Sequence, residues 1–287
     1  MWFICAITTF IFWGLADLFY KMGNKEKDYL SHYKTGIMVG VIMGIHATIY
    51  LIVKQPSISF MGLISYLPVS LCYIISMIIG YKGLKFLELS ISSPIQNSSG
   101  IITSLLLVLI FKESLAEMEW FAIFLIGSGI LLLSFLEQKG SKRNNLGFIA
   151  LIFPILYALL DGAGTFLDGI YLDKASIVSE DVALISYEYT FFIYAIITYI
   201  ILKFKNIKLS FRHEKEKLIA SIFETFGQFF YVYAMATESI LAAPIVASYS
   251  ILSIILSRLF LKEKLDGRKY ITIILIITGI IILGFCE

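Results

Sequence analysis

Long apolar stretches alternate with short polar clusters from one end of this chain to the other. Most are about 18 residues or more, the length a helix needs to cross a hydrocarbon core. Ten spans are predicted: residues 2–20, 35–53, 60–84, 89–111 and 120–136, then 146–166, 182–202, 218–237, 240–261 and 270–285. The runs are too long for barrel strands and lack period-2 alternation, so the expected fold is an all-α integral membrane protein.

The polar positions repeat. Residues 83–135 set under 233–285 without a gap pair Glu88 with Glu238, Pro94-Ile95 with Pro244-Ile245, and Ser98 with Ser248. Lys112-Glu113 pairs with Lys262-Glu263, Leu115 with Leu265, Gly129-Ile130 with Gly279-Ile280, and Phe135 with Phe285. Chance apolar similarity would match leucines; it would not also bring Pro, Lys-Glu and Gly into step. The chain reads as two five-helix repeats, 1–136 and 146–287, joined by a polar linker at 137–145. An odd number of spans per half makes the second copy enter the membrane from the opposite side. Such inverted repeats supply two nearly isoenergetic states, each open to one face.

Composition agrees with a lipid solvent. Hydrophobic residues make up 59%, charged residues 15%, and the mean hydropathy is +0.86, against roughly a quarter charged in a soluble domain. The net charge of +2 lies in scattered loops, which argues against a nucleic-acid partner. Cys5, Cys72 and Cys286 lie in apolar segments without metal-ligand spacing and read as structural thiols. The first apolar segment lacks a charged leader and a small-residue cleavage site, so it is expected to be retained as a helix.

Basic loop residues are lopsided. Lys21, Lys25, Lys27, Lys34, Lys82, Lys85, Lys139, Lys142, Arg143 and the clusters at 203–217 and 262–269 fall on one side; Lys54, Lys112 and Lys174 fall on the other. The positive-inside rule puts the first set in the cytoplasm and both termini outside. Trp2, Trp120 and Tyr270 stand at span ends, where amphipathic rings prefer the interface. Gly40-x-x-x-Gly44 and Gly127-x-Gly129 offer close helix approach.

Each fourth span shares a signature: a Pro-containing polar start, an apolar run, then a glutamate. It runs from Ser93-Pro94-Ile95 to Lys112-Glu113-Ser114-Leu115, and from Ala243-Pro244-Ile245 to Lys262-Glu263-Lys264-Leu265. With Phe12-Trp13-Gly14 and Lys21 in the first span, this resembles the EamA-type drug/metabolite transporters over essentially the full length. The resemblance implies a central cavity lined by the first, third, fourth, sixth, eighth and ninth spans, with the fifth and tenth outside. It also implies cytoplasmic termini, opposite to the loop charges. Smaller multidrug relatives carry a glutamate in the first helix; the matching position here is Trp13, which speaks against drug export by that mechanism.

Acids inside spans are costly, about 2.5–3.5 kcal/mol on insertion scales, and so are candidates for function. Asp17 is one, though Lys21 lies one turn on and could pair with it. Asp161 aligns with Asp17 and has Tyr157 and Thr165 on its face; it serves either a cavity or a hydroxyl-satisfied structural role. Glu224, Gln228 and Tyr231 form a polar stripe, open to a ligand or to an interhelical bond. Gln96, Asn97, Ser98 and Ser99 follow Pro94, where a freed carbonyl needs partners; the second copy has Val246-Ala247 in place of Gln96-Asn97, so the site is asymmetric. Tyr73, Tyr81 and Tyr249 add aromatic hydroxyls. Glu188 sits near a span end, His46 reads as a satisfied helix histidine, and Glu113 and Glu263 as loop anchors.

These features lead to a plasma-membrane secondary transporter for a small polar or amphipathic metabolite. Trp13, Asp17, Tyr73, Gln96, Asn97, Tyr157, Asp161, Glu224, Gln228 and Tyr249 are the expected binding residues, and an acid among them could couple a proton. No cofactor or metal is expected, and no nucleotide-binding loop occurs. A non-transporting scaffold or receptor is the alternative. An intramembrane enzyme is a weaker one, since no nucleophile–base or metal motif is present.

Overall fold

The computed structural model describes residues 1–24, 28–112, 114–140, 150–207, 214–262 and 267–285, and every regular element among them is helical. Helices α1 (Trp2–Gly23), α2 (Ser31–Lys54), α7 (Glu117–Gly140), α9 (Glu180–Phe204) and α12 (Gly267–Phe285) are unbroken. α8 (Ile152–Asp168) runs on into a π-helical turn, Gly169–Lys174. The rest come in pieces: α3 (Phe60–Ser65) with α4 (Leu67–Gly83), α5 (Leu89–Gln96) with α6 (Ser99–Phe111), and α10 (Lys215–Ala247) with α11 (Ser250–Phe260).

Among the described residues, six segments are long and apolar enough to cross a membrane. One of them, Lys215–Phe260, is 46 residues long, about twice what one crossing needs. It bends at Glu238, whose backbone (φ −155°, ψ 75°) leaves the helical region. Its repeat counterpart, Glu88, is likewise extended, at the N-terminus of α5.

Residues 60–84 and 89–111, expected as continuous helices, are each interrupted. The first breaks at Tyr66, ahead of Pro68 in the first turn of α4. The second breaks at Asn97-Ser98, just past Pro94. Proline lacks the N–H of the helical ladder and its ring crowds the preceding turn. Pro244 acts alike, and α10 ends at Ala247. Ser98 Oγ donates to the Ile95 carbonyl at 2.8 Å and Ser248 Oγ to that of Pro244 at 2.7 Å, so at each break a serine satisfies a backbone carbonyl, three residues back in the first and four in the second. Lys112 and Lys262, paired by the repeat, both adopt left-handed backbone (φ 54° and 58°) at the ends of α6 and α11.

Packing carries the duplication further. α1 lies chiefly against α10 and α4 against α8; α2 lies on α9, and α7 on α12. Exchanging the halves turns the first pair into the second and leaves the others unchanged. At the α7–α12 crossing Gly129 faces Ile276, and its counterpart Gly279 faces Ile126 and the Ala122 carbonyl. A Cβ on either would come within 2.4–2.8 Å of these atoms. Gly40 and Gly44 bring α2 against Phe191 and Phe192 of α9 in the same way.

Outward faces stay apolar: Ile193, Ile196, Ile197, Ile200 and Ile201 of α9 are exposed, as are Ile271, Ile274 and Ile281 of α12. Rows of exposed isoleucine at helical spacing suit lipid, not water. Trp120 and Tyr270 are exposed at helix ends, whereas Trp2 is buried against its neighbours. Of the expected linker, 137–140 is helical, as the last turn of α7; residues 141–149 lie outside the described residues, as do Glu113, Glu263 and Cys286. Cys72 is free, and both it and Cys5 are half-buried.

Candidate functional site: a polar cavity between the halves

A cavity opens where α1, α4, α8 and α10 converge with the two proline breaks. Its volume, the space open to the centre of a water molecule, is about 50 Å³. From α1 come Trp13 and Asp17; from α4, Tyr73; from the first break, Gln96 and Asn97. The second half gives Tyr157 and Asp161 of α8, Glu224 and Gln228 of α10, and Tyr249 at the second break. All ten residues singled out from the sequence therefore line one hollow. Tyr20, Tyr81 and Tyr187 line it as well. Tyr187 belongs to α9, a helix the family resemblance leaves out of the lining, while among the described residues α7 and α12 contribute nothing.

Local structure fixes these side chains. Trp13 lies flat against Gly227, where a Cβ would sit 2.2 Å from the indole. Its Nε1 donates to the Glu224 carbonyl at 3.3 Å, and its ring stacks on Tyr231 at 5.0 Å between centroids. Asp17 Oδ2 accepts from Ser93 at 2.6 Å and from Ser253 at 2.8 Å. Asp161 Oδ2 accepts from Ser99 at 3.0 Å. Lys21, a conceivable partner for Asp17, sends its ammonium to the carbonyls of Leu84 and Leu87 at 2.7 and 2.6 Å.

Asp168 was not among the expected residues. It is fully buried two helical turns beyond Asp161, about 10 Å along α8. Tyr66 donates to its Oδ1; Tyr73 and Tyr231 donate to its Oδ2 at 2.8 and 2.9 Å. This cluster ties α4, α8 and α10 together at the end of the cavity lined by Tyr73. Farther out at that end, Lys54 reaches Asp181 at 2.7 Å, with Tyr50 and Tyr233 hydrogen-bonded around the pair. In the other direction the lining continues through Tyr20 and Tyr81 to Leu84, beside the lysine-rich loops.

One expectation changes, and the reading of His46 as a satisfied helix histidine holds. Glu188, placed from sequence near a span end, is wholly buried two turns into α9. His46 is its partner: Nδ1 lies 2.8 and 2.9 Å from the two carboxylate oxygens. The pair pins α2 to α9 outside the cavity.

A helical membrane protein with a polar hollow between two matched halves is the architecture of a membrane carrier. The EamA-like transporter family model matches residues 1–135 and 148–285, and the chain belongs to that family. A solved structure titled "Crystal structure of protein" has the same fold, with a TM-score of 0.69, 10% identity, and coverage of 99% of this chain and 96% of that one. No curated protein matches the chain.

Proposed function

We propose that this chain is a secondary carrier that moves a small polar or amphipathic metabolite by alternating access. Ten spans would form two inverted five-helix repeats, with the cavity as the binding site at mid-membrane. The observation that carries the reading is the convergence of polar side chains from both halves on one hollow, for which the Asp168 cluster would serve as the seal at one end. A carrier must present such a site to one face at a time.

The lining reaches the end bearing the lysine-rich loops, so with those loops in the cytoplasm this conformation is the inward-facing one. Termini would then lie outside a plasma membrane. Asp17, Asp161 and Glu224 supply negative charge, and one of them could carry a coupled proton. Family membership describes a transporter; substrate and coupling belong to this proposal.

Counterflow in proteoliposomes tests it. Protein-dependent exchange of a labelled metabolite across the bilayer, abolished in Asp161→Asn with Glu224→Gln, is the expected result. Absence of exchange over a broad metabolite panel would favour the scaffold or receptor reading.

A further inference from the structure

We infer that the cavity selects an organic cation: a small amine, charged at neutral pH, that also carries oxygen acceptors. The inference deepens the transport reading and rests on it for the passage of the ligand, while the binding chemistry stands on the cavity itself.

Three carboxylates face the hollow, Asp17, Asp161 and Glu224, and among the described residues no lysine, arginine or histidine lines it. Serine hydroxyls orient Asp17 and Asp161 without neutralising them. An anionic ligand would meet like charge in a medium that screens poorly, whereas a cation gains there. Trp13, locked against Gly227, adds an aromatic face, the surface on which an ammonium group is attracted.

A second, independent feature points to the acceptors. Two buried donors on the same lining have no hydrogen-bond partner: the Nε2 atoms of Gln96 and Gln228. Neither residue is more than 4% exposed. Buried donors are almost always paired, and leaving them empty costs about as much as a lost bond. A ligand with hydroxyl or carbonyl oxygens fills them; a bare alkylamine does not. A metal ion fits poorly, because no three acidic, histidine or cysteine side chains converge on a point among the described residues. The charge is therefore carried by an extended molecule, with its ammonium near the carboxylates and its oxygens near the two amides.

Four matched probes test this: serinamide (cation, two oxygens), serine (zwitterion), 3-hydroxypropanamide (neutral) and propylamine (cation without oxygen). Binding is measured calorimetrically on the full chain in detergent, and counterflow in proteoliposomes. Serinamide should bind at least about tenfold more tightly than each of the others. Asp161→Asn and Glu224→Gln, checked for monodispersity, should shrink its advantage over 3-hydroxypropanamide. Gln96→Leu should shrink its advantage over propylamine. Equal or absent binding across the four probes on wild-type protein overturns the inference without recourse to any variant. So does a cation preference that survives both acid substitutions. Serinamide binding without counterflow would remove the transport reading and leave the selectivity standing; counterflow of serine or 3-hydroxypropanamide with no preference for serinamide would do the reverse.

Discussion

Ser253 donates to Asp17 Oδ2 across 2.8 Å, although 236 positions separate the two residues. Its repeat counterpart, Thr103, donates at 3.2 Å to the carbonyl of Gly162, beside Asp161. The acid in each half is thus approached by a hydroxyl from the fourth element of the opposite half. Asp17→Ala would strand Ser93 and Ser253, and stability should fall by about 1–3 kcal/mol. Asp17→Asn retains an acceptor and should lose less. Thermal unfolding of detergent-solubilised protein distinguishes them; equal losses would deny the serine bonds any part.

Gly227 offers a cleaner probe of cavity shape. A methyl group there would displace the Trp13 indole, since the contact is 2.2 Å. Gly227→Ala should weaken ligand binding about tenfold or more and shift the tryptophan emission, with little change in yield. Unaltered affinity would mean that Trp13 is not part of the site.

The tyrosine cluster depends on Asp168. Asp168→Ala leaves three buried tyrosine hydroxyls without their acceptor, and the expected loss is on the order of 3 kcal/mol. Asp168→Asn should cost less. Thermal unfolding of detergent-solubilised protein checks both; an unchanged midpoint in Asp168→Ala would deny the three hydroxyls their shared acceptor.

Outside the spans, Asp28 titrates in the loop before α2. Burial alone would raise its carboxyl, but the hydrogen bond and charge of Lys34, 2.6 Å away, outweigh burial and hold it below 3.8. A lowered folded value means that the stabilisation is present above about pH 3.8 and disappears as pH falls through the folded pKa beneath it. The pair is partly solvated, so the gain is under about 1 kcal/mol. The unfolding midpoint of wild type should exceed that of Asp28→Asn at pH 6, and the gap should close as pH falls through the folded pKa. A gap that persisted at acid pH would count against the pairing.

Much of this architecture was legible in the sequence because membranes penalise polar side chains so heavily. Asp17, Asp161, Glu224 and Gln228 stood out against apolar surroundings, and the repeat put Pro94 and Pro244 in step. What escaped notice lay where local context misleads. Asp168 fell past the expected end of its span, whereas α8 runs on through it into the π-helical turn. Its spacing held a clue: Asp161 and Asp168, Tyr66 and Tyr73, and Glu224 and Tyr231 all stand seven apart, two turns along one helix face. The bond of His46 to Glu188 spans 142 positions, and no periodicity within one helix reveals a partner on another.

Gln96 and Asn97 have no polar equivalents at Val246 and Ala247, so a scaffold with matched halves holds a lopsided cradle. In an alternating carrier such a cradle can grip its cargo more firmly from one compartment than from the other. Detailed balance still forbids that inequality from accumulating anything. Net movement must be drawn from a concentration or ion gradient, and the unequal amides set only how quickly each leg of the cycle turns over.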